Sequence, residues 1–221
     1  MAGTTFDEIK KDNAGAIRKY TSAFIAVAPL SADPVKTLMD ATEGAKLAAL
    51  PTNYMPLGLI KKDDGIEFSR DTDTSDVESL GYAAPTRKDI IKDDASLKFT
   101  LQENTKMAEQ LYNGIDLTSI TPNETSGEVS FANPTTPATM YYRFLIVGRD
   151  GSGDQEFFKA WYIPRGQISE VDSLSFSAED EHAYNLTLTA TPDPKEKFAV
   201  KTFLGGSGFK AAAQELGWKN S

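Results

Sequence analysis

The chain has 221 residues, a net charge of −9 and no cysteine, with 40% hydrophobic and 25% charged residues. That is enough for one sizeable core and excludes a wholly disordered or collagen-like chain. The absence of sulfur ligands excludes disulfides, thiol catalysis and sulfur-bound zinc. The acidic balance argues against tight nucleic-acid binding, and no apolar run approaches the ~18 residues of a membrane span.

The first residues have neither the basic nor the apolar region of a secretory signal. Residues 1–19 read as a polar N-terminal arm. Thr5 and Glu8 have capping-box spacing there, with Phe6 and Ile9 on one side of a helix too short to be stable alone. Tyr20 to Ala28 reads as an apolar strand ending at Pro29. Asp33-Pro34 resembles an N-cap followed by proline, and Val35, Leu38 and Met39 follow at helical spacing, so a short helix is expected. Ala45 to Leu50 is a further helical turn or a loop.

Met55–Lys61 and Ile66–Ser69 flank Lys62-Asp63-Asp64-Gly65, a hairpin signal. Ser69 to Ser79 holds a single aliphatic residue, Val77, and sets Asp71, Asp73, Asp76 and Glu78 against Arg70 alone. Such a stretch cannot bury enough apolar area to order itself, so residues 63–82 read as a long acidic loop. Ser96 to Glu103 alternates as a strand, with Leu97, Phe99 and Leu101 on one side. Asn104 is placed to cap a helix whose Met107, Ala108, Leu111 and Tyr112 form one stripe, with Gly114 as its stop.

The second half is strand after strand. Glu128 to Ala132 is short. Thr139–Gly148 and Gln155–Ile163 are apolar at nearly every residue, so both faces need cover, and a neighbouring subunit could supply the second. Ser169–Ser177 and Ala183–Thr191 alternate regularly. Leu174, Phe176, Tyr184, Leu186 and Leu188 fall on one side, with Ser173, Ser175, Ser177, Asn185, Thr187 and Thr189 on the other. Glu196 to Leu204 follows, then a C-terminal arm, 205–221, with a short helix carrying Phe209, Ala212, Ala213 and Leu216. There is no internal repeat and no linker, which makes 1–221 a single domain.

Chemical motifs fail on inspection. Gly206-Ser207-Gly208-Phe209-Lys210-Ala211 fits a dinucleotide fingerprint, but only ten residues follow Ala211, too few for the next strand and its acid. The glycines read as a hinge. Asp71, Asp73 and Ser75 begin like a calcium loop, yet Asp76 and Tyr82 stand where Gly and Glu are required. Asp150, Ser152 and Asp154 fail in the same way. His182 is the single histidine and has no nucleophile elbow to serve. No catalytic, cofactor-binding or metal-binding residue is assigned, and no cofactor is expected.

The order of several segments carries a resemblance. They are Ala-Phe-Ile-Ala-Val-Ala-Pro at 23–29, Met-Pro-Leu-Gly-Leu-Ile-Lys-Lys-Asp-Asp-Gly-Ile-Glu-Phe at 55–68 and Leu-Lys-Phe-Thr-Leu-Gln-Glu-Asn at 97–104. Leu-Tyr-Asn-Gly at 111–114, Trp-Tyr-Ile-Pro-Arg-Gly-Gln-Ile-Ser-Glu-Val at 161–171 and Tyr-Asn-Leu-Thr-Leu-Thr-Ala-Thr-Pro-Asp at 184–193 follow. Over about residues 20–205 the chain resembles the major tail protein, or tail tube protein, of phages with long non-contractile tails, most like those of actinobacterial phages.

The resemblance implies a mainly β fold: a β-sandwich or partly closed barrel of the phage tail-tube type, with one flanking helix and extended arms. It implies no enzyme but a structural virion protein, made in the host cytoplasm and located in the phage tail. This protein self-assembles into hexameric rings stacked as a tube that conducts DNA during ejection. Its partners would be itself, tape-measure and tail-end proteins, with DNA passing without tight binding and no membrane involved. Arg70, Asp71, Asp73, Asp76 and Glu78 would form an inter-ring loop, since a long loop in this region reaches the neighbouring ring in that family. That loop needs a basic partner surface, for which Arg87, Lys88, Arg143, Arg149, Lys159 and Arg165 are candidates. Ser173, Ser175, Ser177, Thr187 and Thr189 would border the lumen or a ring interface, because rings of Lys or Arg would trap DNA. The rival readings are a carbohydrate- or ligand-binding β-sandwich using Tyr141, Tyr142, Trp161 and Tyr162, or another tail component such as a terminator.

Overall fold

Apolar residues on both faces of two successive strands set the centre of the architecture. β5 (Tyr142–Asp150) and β6 (Phe157–Val171) pair as a hairpin in the middle of one eight-stranded antiparallel sheet. The other strands are β1 (Ser22–Pro29), β2 (Met55–Pro56), β3 (Ile66–Val77), β4 (Arg87–Leu101), β7 (Tyr184–Ala190) and β8 (Lys201–Gly205). Their order is β2-β1-β5-β6-β7-β4-β3, with β8 beside β6. The computed structural model describes residues 4–43, 46–136 and 138–218. The mainly β fold expected is present as a curled sheet that does not close into a barrel. The connection following β2 reaches across to the end of β4, where Lys61 N–H donates to Thr100 O (2.9 Å) and Gln102 N–H to Leu59 O (3.0 Å).

Each sheet face has its own core. Ile25, Val27, Leu97, Phe99, Phe144, Ile146, Ile163, Leu186 and Leu188 bury the larger one, joined by Leu57, Ala108 and Leu111. Phe68 stacks on Trp161 there, with ring centroids 4.9 Å apart. On the other face Leu145, Val147, Phe158, Ala160 and Tyr162 pack against Val35 and Leu38, with Met39, Tyr54, Phe198 and Phe203 alongside. The hairpin's second face is therefore covered by Val35, Leu38, Met39, Tyr54, Phe198 and Phe203 of the chain itself, rather than left open for a neighbour. Phe157, Phe158 and Tyr142 are buried within the chain.

The helices follow their caps. α1 (Phe6–Lys10) carries the expected capping box of Thr5 and Glu8 and leaves Phe6 and Ile9 exposed. α2 (Lys106–Asn113) covers the larger core. Its N-cap is Thr105, one residue beyond Asn104, because the Thr105 hydroxyl accepts from Ala108 N–H at 3.2 Å. Gly114 closes it in the left-handed region, φ 64°. α3 (Ser207–Ala212) follows Gly205-Gly206. Gly206 there adopts φ 105°, and any Cβ on it would meet Glu156 O.

Several local expectations are corrected. Residues 33–39 are not helical: Val35 and Leu38 are drawn onto the sheet as separate anchors. Residue 45 lies outside the described residues, and 46–51 run as a loop touching β1 and β5. Met55 pairs with Val27 rather than with Ile66–Ser69, so 55–69 is no hairpin; Ile66 pairs with Phe99 instead. Residues 128–132 form no strand. The strand expected over 169–177 ends at Val171, and Phe176 is 98% exposed instead of packed with Tyr184.

Candidate functional site

The largest departure from expectation is the acidic segment 63–82. Alternating Asp, Thr and Ser here extend rather than disorder the chain, and Ile66–Val77 is strand β3. It pairs with β4 over its whole length, from Ile66–Phe99 to Val77–Arg87. Within the sheet, β4 pairs with β7 only over Ala95–Leu101. Beyond that point β7 has ended, and β8 occupies the vacated edge of β6 through Phe158–Tyr162. Residues 70–94 are therefore a two-stranded ribbon that leaves the sheet, about 26 Å long for eight residues per strand.

Cross-strand ion pairs zip the ribbon. Arg70 grips Asp93 with two nitrogens at 2.5 Å each, Lys88 reaches Asp76 at 3.0 Å, and Lys92 lies between Asp71 and Asp94. These pairs are exposed and screened by solvent, and Arg70 holds Asp93 below the ordinary carboxylate range through its hydrogen bonds. Asp73 and Glu78 have no ion-pair partner among the described residues. A bulge at Asp73/Thr74 leaves Ile91 without an opposite residue. Ile90, Ile91, Leu80 and Tyr82 are all exposed, so the ribbon presents apolar as well as acidic groups.

The hydroxyl surface divides. Thr187 and Thr189 alternate with buried Leu186, Leu188 and Ala190 and share a polar face with Ser169, whose hydroxyl lies 2.7 Å from that of Thr189. Lys98 is level with Thr187 and is paired to Asp172 at 3.6 Å. Ser173, Ser175 and Ser177 lie on the connection after β6. The Ser177 hydroxyl caps a turn by accepting from Glu179 and Asp180 N–H, and Ser175 O lies 3.2 Å from His182 Nδ1.

The aromatic platform of the rival reading is not assembled, because Tyr142 and Tyr162 are core residues and Tyr141 stacks on Arg165. The concavities around Phe24 and Leu47 are lined mainly by apolar side chains. Asp71, Asp73 and Ser75 lie along a strand, and no cluster of acids or histidine fit for a metal occurs among the described residues. The ribbon itself escaped the sequence reading. Its signal was the period-two Asp/Thr/Ser pattern, whose opposite strand, Arg87–Asp94, supplies the countercharges.

The architecture is an open, curled β-sheet from which a two-stranded ribbon projects. Residues 11–202 match the family described as phage tail tube protein, and the chain belongs to that family. The family is structural, not an enzyme class, and its members are parts of the virion. No curated protein matches. Among solved structures, the chain is similar to one from the sheath–tube complex of an extracellular contractile injection system, PVC, in the extended state. That match has 11% identity and a TM-score of 0.42, covering 92% of this chain and 99% of the other. It is also similar to the tube-terminating cap of the anti-feeding prophage, at 13% identity and TM-score 0.39, covering 85% and 90%.

Proposed function

We propose that the chain forms hexameric rings that stack into a tube conducting DNA during ejection, and that the ribbon makes the ring-to-ring contact. The observation carrying this is the ribbon. A two-stranded hairpin without a packed face is marginal in water, and this one exposes Ile90, Ile91, Leu80 and Tyr82. A second copy gives it the missing cover. Head-to-tail contact of this kind does not close, so it generates filaments. Arg70, Asp71, Asp73, Asp76 and Glu78 then act as a rigid arm rather than a loop that orders on assembly. Thr187 and Thr189 border the lumen, and Ser173, Ser175 and Ser177 lie at a ring interface beside it. Tape-measure and tail-end proteins are the expected further partners, and synthesis takes place in the host cytoplasm.

Electron microscopy of the concentrated protein tests the reading. The intact chain is expected to give long hollow tubes. A variant in which an Asn-Gly turn replaces residues 72–93, joining the paired Asp71 and Asp94, is expected to fold but not to elongate. Normal-length tubes from that variant would remove the stacking role.

A further inference from the structure

We infer that the free edge of β8 is the surface on which the ribbon of a second copy docks, adding to β8 as an extra strand; this rests on the stacking reading above. Three features of β8 point to it. Its inner edge pairs with β6, while no backbone hydrogen bond among the described residues engages its outer edge. Thr202 and Leu204 are exposed along it. An open strand edge is a template for another strand unless something blunts it.

Charge selects the ribbon as occupant. Lys36, Lys159, Lys195, Lys197 and Lys201 surround β8, and none has a carboxylate at ion-pair distance among the described residues. Lys201 Nζ donates to Lys36 O at 3.0 Å, Lys159 is level with Leu204, and Lys195 and Lys197 stand on the turn leading into the strand. The exposed Asp33 and half-buried Glu196 are fewer than these cations, and Asp193 is buried. The ribbon, residues 70–94, has seven carboxylates against four cations, and its unpaired members are Asp73 and Glu78. Among the other candidate cations, Arg143 is buried, Arg149 is paired to Glu156, Arg165 lies on Tyr141, and Arg87 and Lys88 belong to the ribbon. Lys159 of that set lies beside β8, with its Nζ 5.4 Å from the Trp161 ring centroid and no ion pair among the described residues.

The chain contains no cysteine, so engineered pairs report contacts cleanly. A disulfide forms only when Cα atoms come within about 7 Å. Oxidised tubes of Glu78→Cys/Lys201→Cys or Asp73→Cys/Lys201→Cys are expected to give a ladder of covalent oligomers that collapses with reductant. Glu78→Cys/Ser22→Cys, which places the second cysteine on β1, is expected to give none. As a second measurement, Lys197→Glu/Lys201→Glu should raise the critical concentration for tube growth at least tenfold, and adding Asp73→Lys/Glu78→Lys should restore it. Cross-linking to Ser22 alone, or to neither edge, together with unchanged growth of the lysine variants, would overturn the assignment. If the ribbon-less chain fails to elongate while these variants grow normally, β8 is not the dock and the stacking reading stands. Elongation of the ribbon-less chain would end both.

Discussion

Arg143 Nη1 donates to the Tyr162 hydroxyl at 3.0 Å, so a charged group of β5 sits in the middle of the smaller core. The same guanidinium bonds Ala32 O at 3.0 Å and Pro164 O at 3.3 Å and lies 4.0 Å from Asp193. It ties the covering segment, a bulge in β6 and the turn before β8 together. Removing it as Arg143→Ala leaves a buried carboxylate and two carbonyls without their partner, with an expected loss on the order of 3 kcal/mol. Urea unfolding at neutral pH measures this. A loss under half that size would mean solvent replaces the guanidinium.

Asp193 gives the fold an acid-labile element. Burial pushes its carboxyl up, but the N–H groups of Glu196 and Lys195 and the charge of Arg143 outweigh that and hold it below the ordinary value of 3.8. A lowered folded-state value means full stabilisation above the unfolded-state value, lost as pH falls through the folded one. The contribution of Asp193 to stability should therefore be constant above about pH 5 and decline as pH falls below about 4. Asp193→Asn should show a shallower acid limb in melting experiments from pH 7 to 2.

Two glycines should respond to alanine for different reasons. At Gly114 the backbone is left-handed with open space around a Cβ, so the cost is conformational, about 1 kcal/mol. At Gly208 a Cβ would sit 2.6 Å from Phe157 Cε2 and 2.7 Å from the Gln155 carbonyl. Overpacking there should cost about 3 kcal/mol and detach α3 from the β5–β6 turn. Paired denaturation curves rank the two; a larger loss at Gly114 would contradict the packing at Gly208.

Leu38 is the probe for the covered second face. Leu38→Ala should cost about 2–5 kcal/mol and raise binding of a hydrophobic dye by the monomer. An unchanged dye signal would mean that Val35, Leu38 and Met39 do not seal Leu145 and Phe158.

Lysines at Thr187 and Thr189 probe the proposed wall. Both positions are half-buried beside Ser169, and long side chains there can carry their charge to the surface while the fold persists. Tails with Thr187→Lys/Thr189→Lys should assemble but release DNA more slowly in a triggered ejection assay. Normal release would place these threonines away from the lumen.

The central strands were legible because β5 and β6 are near-continuous apolar runs and β7 alternates strictly, burying Leu186 and Leu188 between half-buried threonines. α2 was legible from its stripe and Gly114. The misreadings share a cause. Val35 and Leu38 have helical spacing but serve as anchors on a sheet formed by distant residues. Asp71 and Asp73 look like loop residues until Lys92 and Asp94 are known to lie opposite. Ion pairs across strands depend on register, and register is absent from local composition. The division of the hydroxyl face between Thr187 and Ser175 likewise depends on where β6 ends.

The continuity of β4 from ribbon into sheet also decides how the arm bears load. Hydrogen bonds in an antiparallel ladder run perpendicular to the strands. A pull along β4 therefore shears the whole Ala95–Leu101 ladder to β7 at once, while a sideways pull opens it bond by bond from Ala95. The arm is thus anisotropic: stiff and hard to extract when tugged lengthwise, compliant when bent.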